Sequence, residues 1–200
     1  MFIYPKIYRK LKRGPQVILP KDIGIIIAYS GIGKDSVCVD AGTGSGWLAV
    51  SLARICRKVY SYDIRKEFTD IAKKNRSMLG LDNLVLKTGS VIRDIGRRNA
   101  DLFTLDMPSA ERALGTVKKS LREDGVVAAY LPHAEQLNRF VERLQKLGFY
   151  DVYAVEVIVR DILARKEGTR PSNSGLWHTA YLAFARKGVA SRKTGGKARG

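Results

Sequence analysis

Short apolar runs alternate along the chain with segments of helical periodicity. Seven runs of β-branched and aliphatic residues predict β-strands. They are Val37–Asp40, Val59–Asp63, Leu84–Lys87, Leu102–Asp106, Val126–Leu131, Val152–Val159 and Ala180–Ala185. Elsewhere apolar residues recur every three or four positions, which predicts amphipathic helices. The clearest stripes are Phe68, Ile71, Ala72 and Leu79, and then Leu137, Phe140, Val141, Leu144 and Leu147.

This alternation of strand and helix is typical of a parallel sheet that carries helices on both faces. The last two predicted strands have no helical segment of comparable length between them. We therefore expect them to form an antiparallel pair at the sheet edge. The predicted fold is α/β and Rossmann-like, with a mostly parallel seven-stranded sheet, helices on both faces and an antiparallel edge strand.

A glycine-rich turn follows the first predicted strand. Asp40 ends the strand, and Gly42, Gly44 and Gly46 then alternate with small residues ahead of a helical segment. Open α/β sheets bind ligands at the carboxyl ends of their strands, and glycine lets the main chain approach a ligand closely. A dinucleotide fingerprint has its third glycine at the position that Trp47 holds here. The spacing instead indicates S-adenosylmethionine (AdoMet), whose cationic groups a carboxylate such as Asp40 attracts.

Two further aspartates end strands near this turn. Asp63 ends the second strand, where a carboxylate can accept both hydroxyls of a ribose. Asp106 begins the turn Asp106-Met107-Pro108 after the fourth strand, next to the first strand across the expected topological switch point. There a carboxylate can accept a hydrogen bond from the exocyclic amine of an adenine that is methylated at N1. Such a transfer needs neither a nucleophilic side chain nor a metal ion.

The composition indicates a nucleic-acid partner. The 200 residues include 45% hydrophobic and 28% charged residues, as expected of a globular domain, with a formal net charge of +17. A field of this sign attracts polyanions such as nucleic acid, although a generally basic proteome would give the same excess. We expect a basic N-terminal arm over residues 1–20, one domain over 21–187 and a disordered basic tail over 188–200.

The cysteines and the apolar segments argue against a zinc-binding, a secreted or a membrane-spanning protein. Cys38 and Cys56 lack a zinc-type spacing with histidine and are expected to be reduced core residues. No signal-peptide pattern opens the chain. The longest apolar stretch, 23–32, is too short and too interrupted by glycine to span a bilayer. We therefore expect a cytoplasmic protein without a membrane partner.

Several motifs between Arg13 and Lys187 carry a family resemblance. They are Gly14-Pro15-Gln16-Val17-Ile18-Leu19-Pro20-Lys21-Asp22, the glycine turn, Tyr62-Asp63-Ile64-Arg65, Leu105-Asp106-Met107-Pro108, Tyr130-Leu131-Pro132 with Gln136, Glu156-Val157 with Arg160, and Arg170-Pro171 ahead of Trp177-His178-Thr179-Ala180-Tyr181-Leu182. With them the chain resembles the tRNA adenine-N1 methyltransferases that modify the T-loop, the TrmI group of class I AdoMet-dependent enzymes. The glycine turn is common to a whole superfamily, whereas the Asp-Met-Pro turn and the Arg-Pro…His-Thr ending are more specific.

The resemblance implies methyl transfer from AdoMet to N1 of a T-loop adenine in tRNA, with Asp106 as the catalytic residue and no metal. The candidate cofactor-binding residues are then Gln16, Asp40, Gly42, Thr43, Gly44, Ser45, Gly46, Asp63, Ile64, Ser90 and Val91. The candidate substrate-binding residues are Met107, Pro108, Tyr130, Arg170 and His178. The resemblance also implies a homo-oligomer, either a tetramer or a dimer.

The sequence departs from the family pattern in two places. Ser90 follows Gly89 where the family usually has an acid that bonds the adenine amine of AdoMet. A serine accepts such a hydrogen bond more weakly than a carboxylate, so we expect a lower cofactor affinity. Ahead of Arg13 the family usually has a small β-rich domain that helps to hold tRNA, and this sequence has only the basic arm there.

Two alternative functions follow from the same residues. One is a methyltransferase for a small metabolite such as a corrin precursor, against which the net charge and the Arg-Pro…His-Thr ending argue. The other is a non-catalytic RNA-binding subunit with a methyltransferase fold, which Ser90 and the short N-terminal region favour. Asp40, Asp63 and Asp106 argue against that subunit, because a site without activity has no need of three acids beside the crevice.

Overall fold

A computed structural model describes residues 5–14, 16–93 and 95–188. Its helices are α1 (Lys6–Lys10), α2 (Pro20–Ser30), α3 (Trp47–Ala53), α4 (Lys66–Met78), α5 (Leu114–Ser120) and α6 (Ala134–Lys146), with a 3-10 turn at Ala110–Ala113. Its strands are β1 (Val37–Ala41), β2 (Lys58–Asp63), β3 (Leu84–Thr88), β4 (Ala100–Leu105), β5 (Leu121–Leu131), β6 (Phe149–Glu156), β7 (Ile162–Arg165), β8 (Gly168–Pro171) and β9 (Tyr181–Lys187). Residues 1–4 of the predicted arm and 189–200 of the predicted tail lie outside the described residues.

Seven strands form one sheet in the order β3-β2-β1-β4-β5-β9-β6. The pairs among β1 to β5 are all parallel. Because the chain continues from β1 to β2 on one side and reaches β4 on the other, the carboxyl ends of these three strands meet at a topological switch point. The register places Asp40 of β1 beside Ser61 of β2 and Thr104 of β4. The predicted α/β fold with a mostly parallel sheet is confirmed.

The last strand in the described residues, β9, lies between β5 and β6 and is antiparallel to both. The predicted antiparallel pair of the last two sheet strands is therefore present, with β6 at the edge and β9 one position further in. β6 begins and ends three residues earlier than the run Val152–Val159 predicts. Gly148, at φ 69°, already turns the chain out of α6, so the strand starts directly after it.

Helices cover both faces of the sheet. One hydrophobic cluster joins the sheet to α5 and α6 and contains Phe103, Phe140 and Leu144, and the other joins it to α2 and α3 and contains Leu52 and Phe184. Each fully buried side chain of this size stabilises the fold by roughly 1.5–3 kcal/mol, so the two layers fix the strand ends firmly. Among the described residues, no helix is both long and apolar enough to cross a membrane.

The described part of the N-terminal segment packs on α3 and α4. The Tyr8 hydroxyl lies 2.6 Å from Ser51 Oγ of α3. The Asn75 side chain of α4 accepts a hydrogen bond from the Lys12 amide and donates one to the Lys12 carbonyl, both at 2.8 Å. Leu11 is buried in the core between them. These contacts lead the chain to the carboxyl edge of the sheet, where Gln16 lines a cavity.

Between β6 and β9 the chain forms a feature that the sequence pattern does not predict. β7 and β8 pair as an antiparallel hairpin outside the seven-stranded sheet. Nearly all of their residues are exposed, so the hairpin has no apolar face to produce a period-two pattern.

Candidate functional site

Main-chain contacts hold the glycine turn after β1. Gly42, Gly44 and Gly46 have φ values of 89°, 51° and 84°, in the left-handed region that favours glycine. The amides of Gly42 and Thr43 both donate to the carbonyl oxygen of Tyr62, at 2.9 and 3.1 Å. Gly46 is buried and forms the N-cap of α3. The turn thus presents main chain to the cleft at the end of β1.

Asp40 lies beneath this turn and outside the cleft, with an exposed fraction of 1%. Its two carboxylate oxygens accept hydrogen bonds from Ser61 Oγ at 2.6 Å and from Thr104 Oγ1 at 2.7 Å. Ser61 Oγ also lies 2.5 Å from Thr43 Oγ1. Burial raises the pKa of Asp40, and the hydrogen bonds from Ser61 and Thr104 oppose that rise. Strands on both sides enclose Asp40, and it does not line either of the two cavities described below. It supports the turn through Ser61 and Thr43.

A cavity of about 310 Å³ opens at the ends of β1, β2 and β3. The predicted cofactor residues in its lining are Gly42, Asp63, Ile64, Ser90 and Val91. The Asp63 carboxylate accepts hydrogen bonds from the Gly44 amide at 2.9 Å and from the Arg65 amide at 3.0 Å. These two amides fix the orientation of the carboxylate at the edge of the cavity.

An adjoining cavity of about 400 Å³ lies toward α6 and the N-terminal segment. Its lining includes Gln16, Gly44, Phe68, Tyr130, Pro132 and Gln136. Five further residues line both cavities: Gly42, Arg65, Asp106, Met107 and Pro108. Asp106 therefore stands where the two spaces meet, between a group bound in the first cavity and a group bound in the second.

The electrostatic environment of Asp106 is unusual for a carboxyl group. Burial raises its pKa to about 7, the carboxylates of Asp40 and Asp63 add to the rise, and the Arg65 guanidinium opposes it. The Asp106 amide donates to the carbonyl oxygen of Ala41 at 2.8 Å, which fixes the main chain at the end of β4. A perturbed carboxyl group in a cleft is typical of a functional site.

Two predicted substrate residues lie outside the linings of these cavities. Arg170 is exposed on β8, where its Nη1 donates to Asn173 Oδ1 at 3.1 Å. His178 Nε2 lies 2.9 Å from the carbonyl oxygen of Pro132, and Nδ1 lies 2.6 Å from Glu156 Oε1. The Pro132 carbonyl and then the Glu156 carboxylate raise the pKa of His178. His178 thus reaches the wall of the second cavity through Pro132, whereas Arg170 contacts only its own segment in the described interactions.

Eight residues of the two linings were not among the predicted site residues: Ala41, Tyr62, Arg65, Phe68, Gly89, Ile92, Pro132 and Gln136. Arg65 and Phe68 come from the start of α4, with Arg65 Cζ 3.9 Å from the centroid of the Phe68 ring. Gln136 caps α6 by accepting a hydrogen bond from the His133 amide at 3.2 Å. Arg65 follows Asp63-Ile64 directly, and this position in the sequence could have identified it as a site residue. Phe68 belongs to an apolar helical stripe in the sequence, so the sequence alone does not distinguish it from a core residue.

The residues present fit AdoMet. Ser45 Oγ is buried without a hydrogen-bond partner among the described residues, and it faces a small recess that Gln16 and Gly44 also line. A polar ligand group in that recess would satisfy the hydroxyl. The carboxylates of Asp63 and Asp106 suit a cationic ligand with ribose hydroxyls. Within the described ranges, no group of three or more His, Cys, Asp or Glu side chains could hold a metal ion.

A seven-stranded sheet with β9 inserted antiparallel between β5 and β6, and a glycine turn at the switch point, together define the class I AdoMet-dependent methyltransferase fold. The family model described as the tRNA methyltransferase complex GCD14 subunit matches residues 5–174. The chain belongs to this tRNA methyltransferase family, and the resemblance carried by its motifs is confirmed.

Individual relatives agree with the family match. The tRNA (adenine(57)-N(1)/adenine(58)-N(1))-methyltransferase TrmI of Methanocaldococcus jannaschii is 35% identical over 210 aligned positions, covering 90% of this chain and 74% of that protein. The crystal structure of the tRNA (m1A58) methyltransferase TrmI from Aquifex aeolicus superposes with a TM-score of 0.85 and 28% identity, covering 92% of this chain and 75% of that one. A SAM-dependent O-methyltransferase structure from Thermotoga maritima gives a TM-score of 0.87 and 27% identity, with 93% and 72% covered.

Proposed function

We propose that this protein transfers a methyl group from AdoMet to N1 of an adenine in the T-loop of tRNA. The observation that carries the proposal is the position of Asp106, which lines both cavities at the point where they meet. The relative from Methanocaldococcus jannaschii is named for methylation of adenines 57 and 58 of tRNA. Membership of the family and the geometry around Asp106 support the same reaction in this chain.

On this proposal, the first cavity holds the adenosine end of the cofactor. Asp63 accepts hydrogen bonds from the ribose hydroxyls, because an oriented carboxylate can accept one from each hydroxyl of a cis-diol. Ser90 offers its hydroxyl to the adenine amine. The full set of residues proposed to hold AdoMet is Gln16, Gly42, Thr43, Gly44, Ser45, Asp63, Ile64, Ser90 and Val91. Asp40 and Gly46 act indirectly, by supporting the turn and by starting α3.

The chemistry then falls mainly to Asp106. Bound AdoMet supplies a methyl group that its sulfonium already activates. The protein has to hold the adenine with N1 in line with that methyl group. Positive charge builds on the purine as N1 forms its new bond, and the N6 amine becomes more acidic. The ionised Asp106 carboxylate accepts a hydrogen bond from this amine, which stabilises charge that exists mainly in the transition state.

The acceptor adenine occupies the second cavity in this proposal. A T-loop adenine lies within the folded tRNA, so the base has to be extruded before it can enter a pocket. Met107, Pro108 and Tyr130 line that pocket and supply apolar and aromatic surface for the base. His178 supports the pocket wall through Pro132. Arg170, exposed on the hairpin, is proposed to contact a tRNA phosphate.

The proposal includes tRNA as the macromolecular partner and a homo-oligomer, either a tetramer or a dimer, in the cytoplasm. The net charge of +17 gives a salt-dependent attraction to phosphates, and assembly would bring several basic surfaces around one tRNA. Light scattering on the purified protein measures the number of subunits. A monomer at working concentration would contradict the oligomer.

Labelled AdoMet with unmodified tRNA tests the reaction. We expect labelled 1-methyladenosine in the T-loop, lost in Asp106→Ala and retained in the matched control Asp82→Ala, which changes an exposed acid between α4 and β3. AdoMet binding without transfer to any RNA overturns the proposed reaction. Failure to bind AdoMet at all supports a non-catalytic RNA-binding subunit, the alternative that Ser90 favours.

A further inference from the structure

A buried ion pair lies at the start of α2, behind the second cavity. Lys21 and Asp22 have side-chain exposures of 5% and 0%. Lys21 Nζ lies 2.8 Å from Asp22 Oδ1, 2.7 Å from Thr179 Oγ1 and 2.6 Å from the Val157 carbonyl oxygen. Thr179 Oγ1 in turn donates to Asp22 Oδ2 at 3.0 Å. Lysine has three N–H donors, and these three acceptors use all of them.

We call Lys21, Asp22 and Thr179 the buried clamp. The clamp connects parts of the chain that are far apart in sequence, since Lys21 is 136 residues from Val157 and 158 from Thr179. It ties the start of α2 to the residue after β6 and to the segment that leads into β9. Apolar residues often stabilise a core as well as a buried ion pair does, so its distinctive contribution is a defined geometry.

Tyr130 connects this clamp to the second cavity. Its ring lines the cavity, and its hydroxyl interacts with the Thr179 side chain. Burial, followed by the nearby Asp22 carboxylate, raises the pKa of Tyr130 to about 12, so the phenol keeps its proton at neutral pH. Its partner in the sheet is Leu182 of β9, a few residues beyond Thr179. The main chain of Tyr130 is therefore held by β9, and its hydroxyl lies next to the Thr179 side chain ahead of β9.

The residue before Thr179 reinforces this arrangement. His178 bonds the carbonyl oxygen of Pro132, two residues after Tyr130, and the Glu156 carboxylate at the end of β6. Two successive side chains ahead of β9 thus fix the same wall of the second cavity. The first cavity, by contrast, is lined by the last residues of β1 and β2 and by the residues that follow β1, β2, β3 and β4.

We infer that Lys21 is a positioning residue for the methyl acceptor, acting through Thr179 on the ring of Tyr130. The inference rests on the proposed function, because it takes the second cavity as the acceptor site. The inference predicts different effects on the two ligands. A change in the clamp alters the placement of the tRNA adenine and leaves AdoMet binding unaltered. Lys21 touches neither ligand in this account.

Two conservative substitutions test this connection. Thr179→Val keeps the shape of the side chain and removes the hydroxyl, and Tyr130→Phe removes the other end of the contact. We expect Thr179→Val to lower kcat with tRNA by about ten- to a hundredfold, the size of effect that misplacing a reacting group has. The Kd for AdoMet should stay within about twofold of wild type, because the clamp lies outside the first cavity. Thr169→Val, on the exposed strand β8, is the matched control and should change neither value.

The double variant distinguishes positioning from general damage. Because Thr179→Val and Tyr130→Phe break one contact, their effects on kcat and on the free energy of unfolding should be less than additive. Additive effects, or an equal loss of AdoMet affinity in Thr179→Val, overturn the inference. Lys21→Met should reproduce the kcat loss of Thr179→Val, and if its unpaired Asp22 prevents folding, the two conservative variants still decide.

The unfolding measurements also separate this inference from the proposed function. If the wild-type protein methylates no tRNA, the proposed function fails. The coupling between Tyr130 and Thr179 in unfolding then still shows whether the clamp holds the tyrosine. If methylation occurs and the coupling is absent, the clamp inference alone fails.

Discussion

A Cβ atom on Gly42 would lie 1.8 Å from the carbonyl oxygen of Asp106. The turn after β1 and the turn after β4 therefore touch through their main chains, and this contact brings the Asp106 side chain beside the glycine turn. Any side chain at position 42 has to push the two strand ends apart. The position of Asp106 in the linings of both cavities depends on this contact.

Gly42→Ala should abolish AdoMet binding and destabilise the protein. The new methyl group overlaps main-chain atoms, and φ at 89° is strained for alanine by itself, at a cost of about 1–3 kcal/mol. Gly24→Ala is the matched control, since that glycine lies in α2 with no atom within 4 Å of the new Cβ. It should raise stability by roughly 0.5–1 kcal/mol. Calorimetric AdoMet titration and thermal unfolding measure both effects, and wild-type affinity in Gly42→Ala would contradict the contact.

Asp106→Asn should trade activity for stability. The amide cannot supply the negative charge at the N6 amine, so methyl transfer should fall by about 10²–10³-fold while AdoMet still binds. The pKa of Asp106 in the folded protein, about 7, lies above its unfolded value of about 3.9, so the stability falls as the pH rises between these two values and levels off above 7. The gain in unfolding temperature should therefore be larger at pH 8 than at pH 4. Equal gains at both pH values would contradict this origin.

The rate of methyl transfer should increase with pH around neutrality. Only the ionised form of Asp106 supplies the negative charge that stabilises the transition state, so kcat/KM for AdoMet should rise with a midpoint near the pKa of about 7 and then level off. His178 also has a raised pKa, and His178→Gln tests whether it causes the same rise. The midpoint should stay in place in that variant. If the midpoint is lost in His178→Gln, the ionisation of His178 and not that of Asp106 causes the rise.

Ser90→Asp should tighten AdoMet binding. Ser90 lines the first cavity, and its Oγ accepts a hydrogen bond from the Ile92 amide at 3.2 Å. A carboxylate would give the adenine amine a charge-assisted acceptor, roughly twice as strong as a neutral one, which corresponds to about a tenfold lower Kd. Ser90→Ala provides the opposite comparison and should bind more weakly than wild type. If the Kd is unchanged in both variants, the adenine amine of AdoMet does not bind at position 90.

The sheet was largely predictable because its central strands are buried on both faces. β1 is buried at every position, and its apolar residues lead to Asp40 near the ligand edge. α2 was harder, since the run 23–32 lacks a polar stripe. Pro20 at its first position and Gly31, at φ 65° after its last residue, are the signals that mark its ends. The β7–β8 hairpin gives no pattern because it is exposed on both sides.

The candidate site was predictable where position along a strand decides it. The places of Asp63 and Asp106 follow from the strand ends, and both line the first cavity. Asp40 also ends a run, but its burial depends on hydroxyls from two neighbouring strands, which a single sequence does not reveal. The clamp around Lys21 likewise joins residues more than a hundred positions apart. Such contacts arise from the finished packing, not from local pattern.

The strand order also governs how the chain can assemble during synthesis. In the described sheet, β6 pairs only with β9, which leaves the ribosome after the other strands of that sheet. Until residue 187 is available, β6 has no neighbour, and the nascent sheet ends at β5 with an open edge. Thr179 and Lys21 also remain apart until then, so a ribosome-bound chain can complete the glycine turn long before it completes the wall that carries Tyr130. Cofactor binding is thus expected to mature earlier in synthesis than acceptor binding.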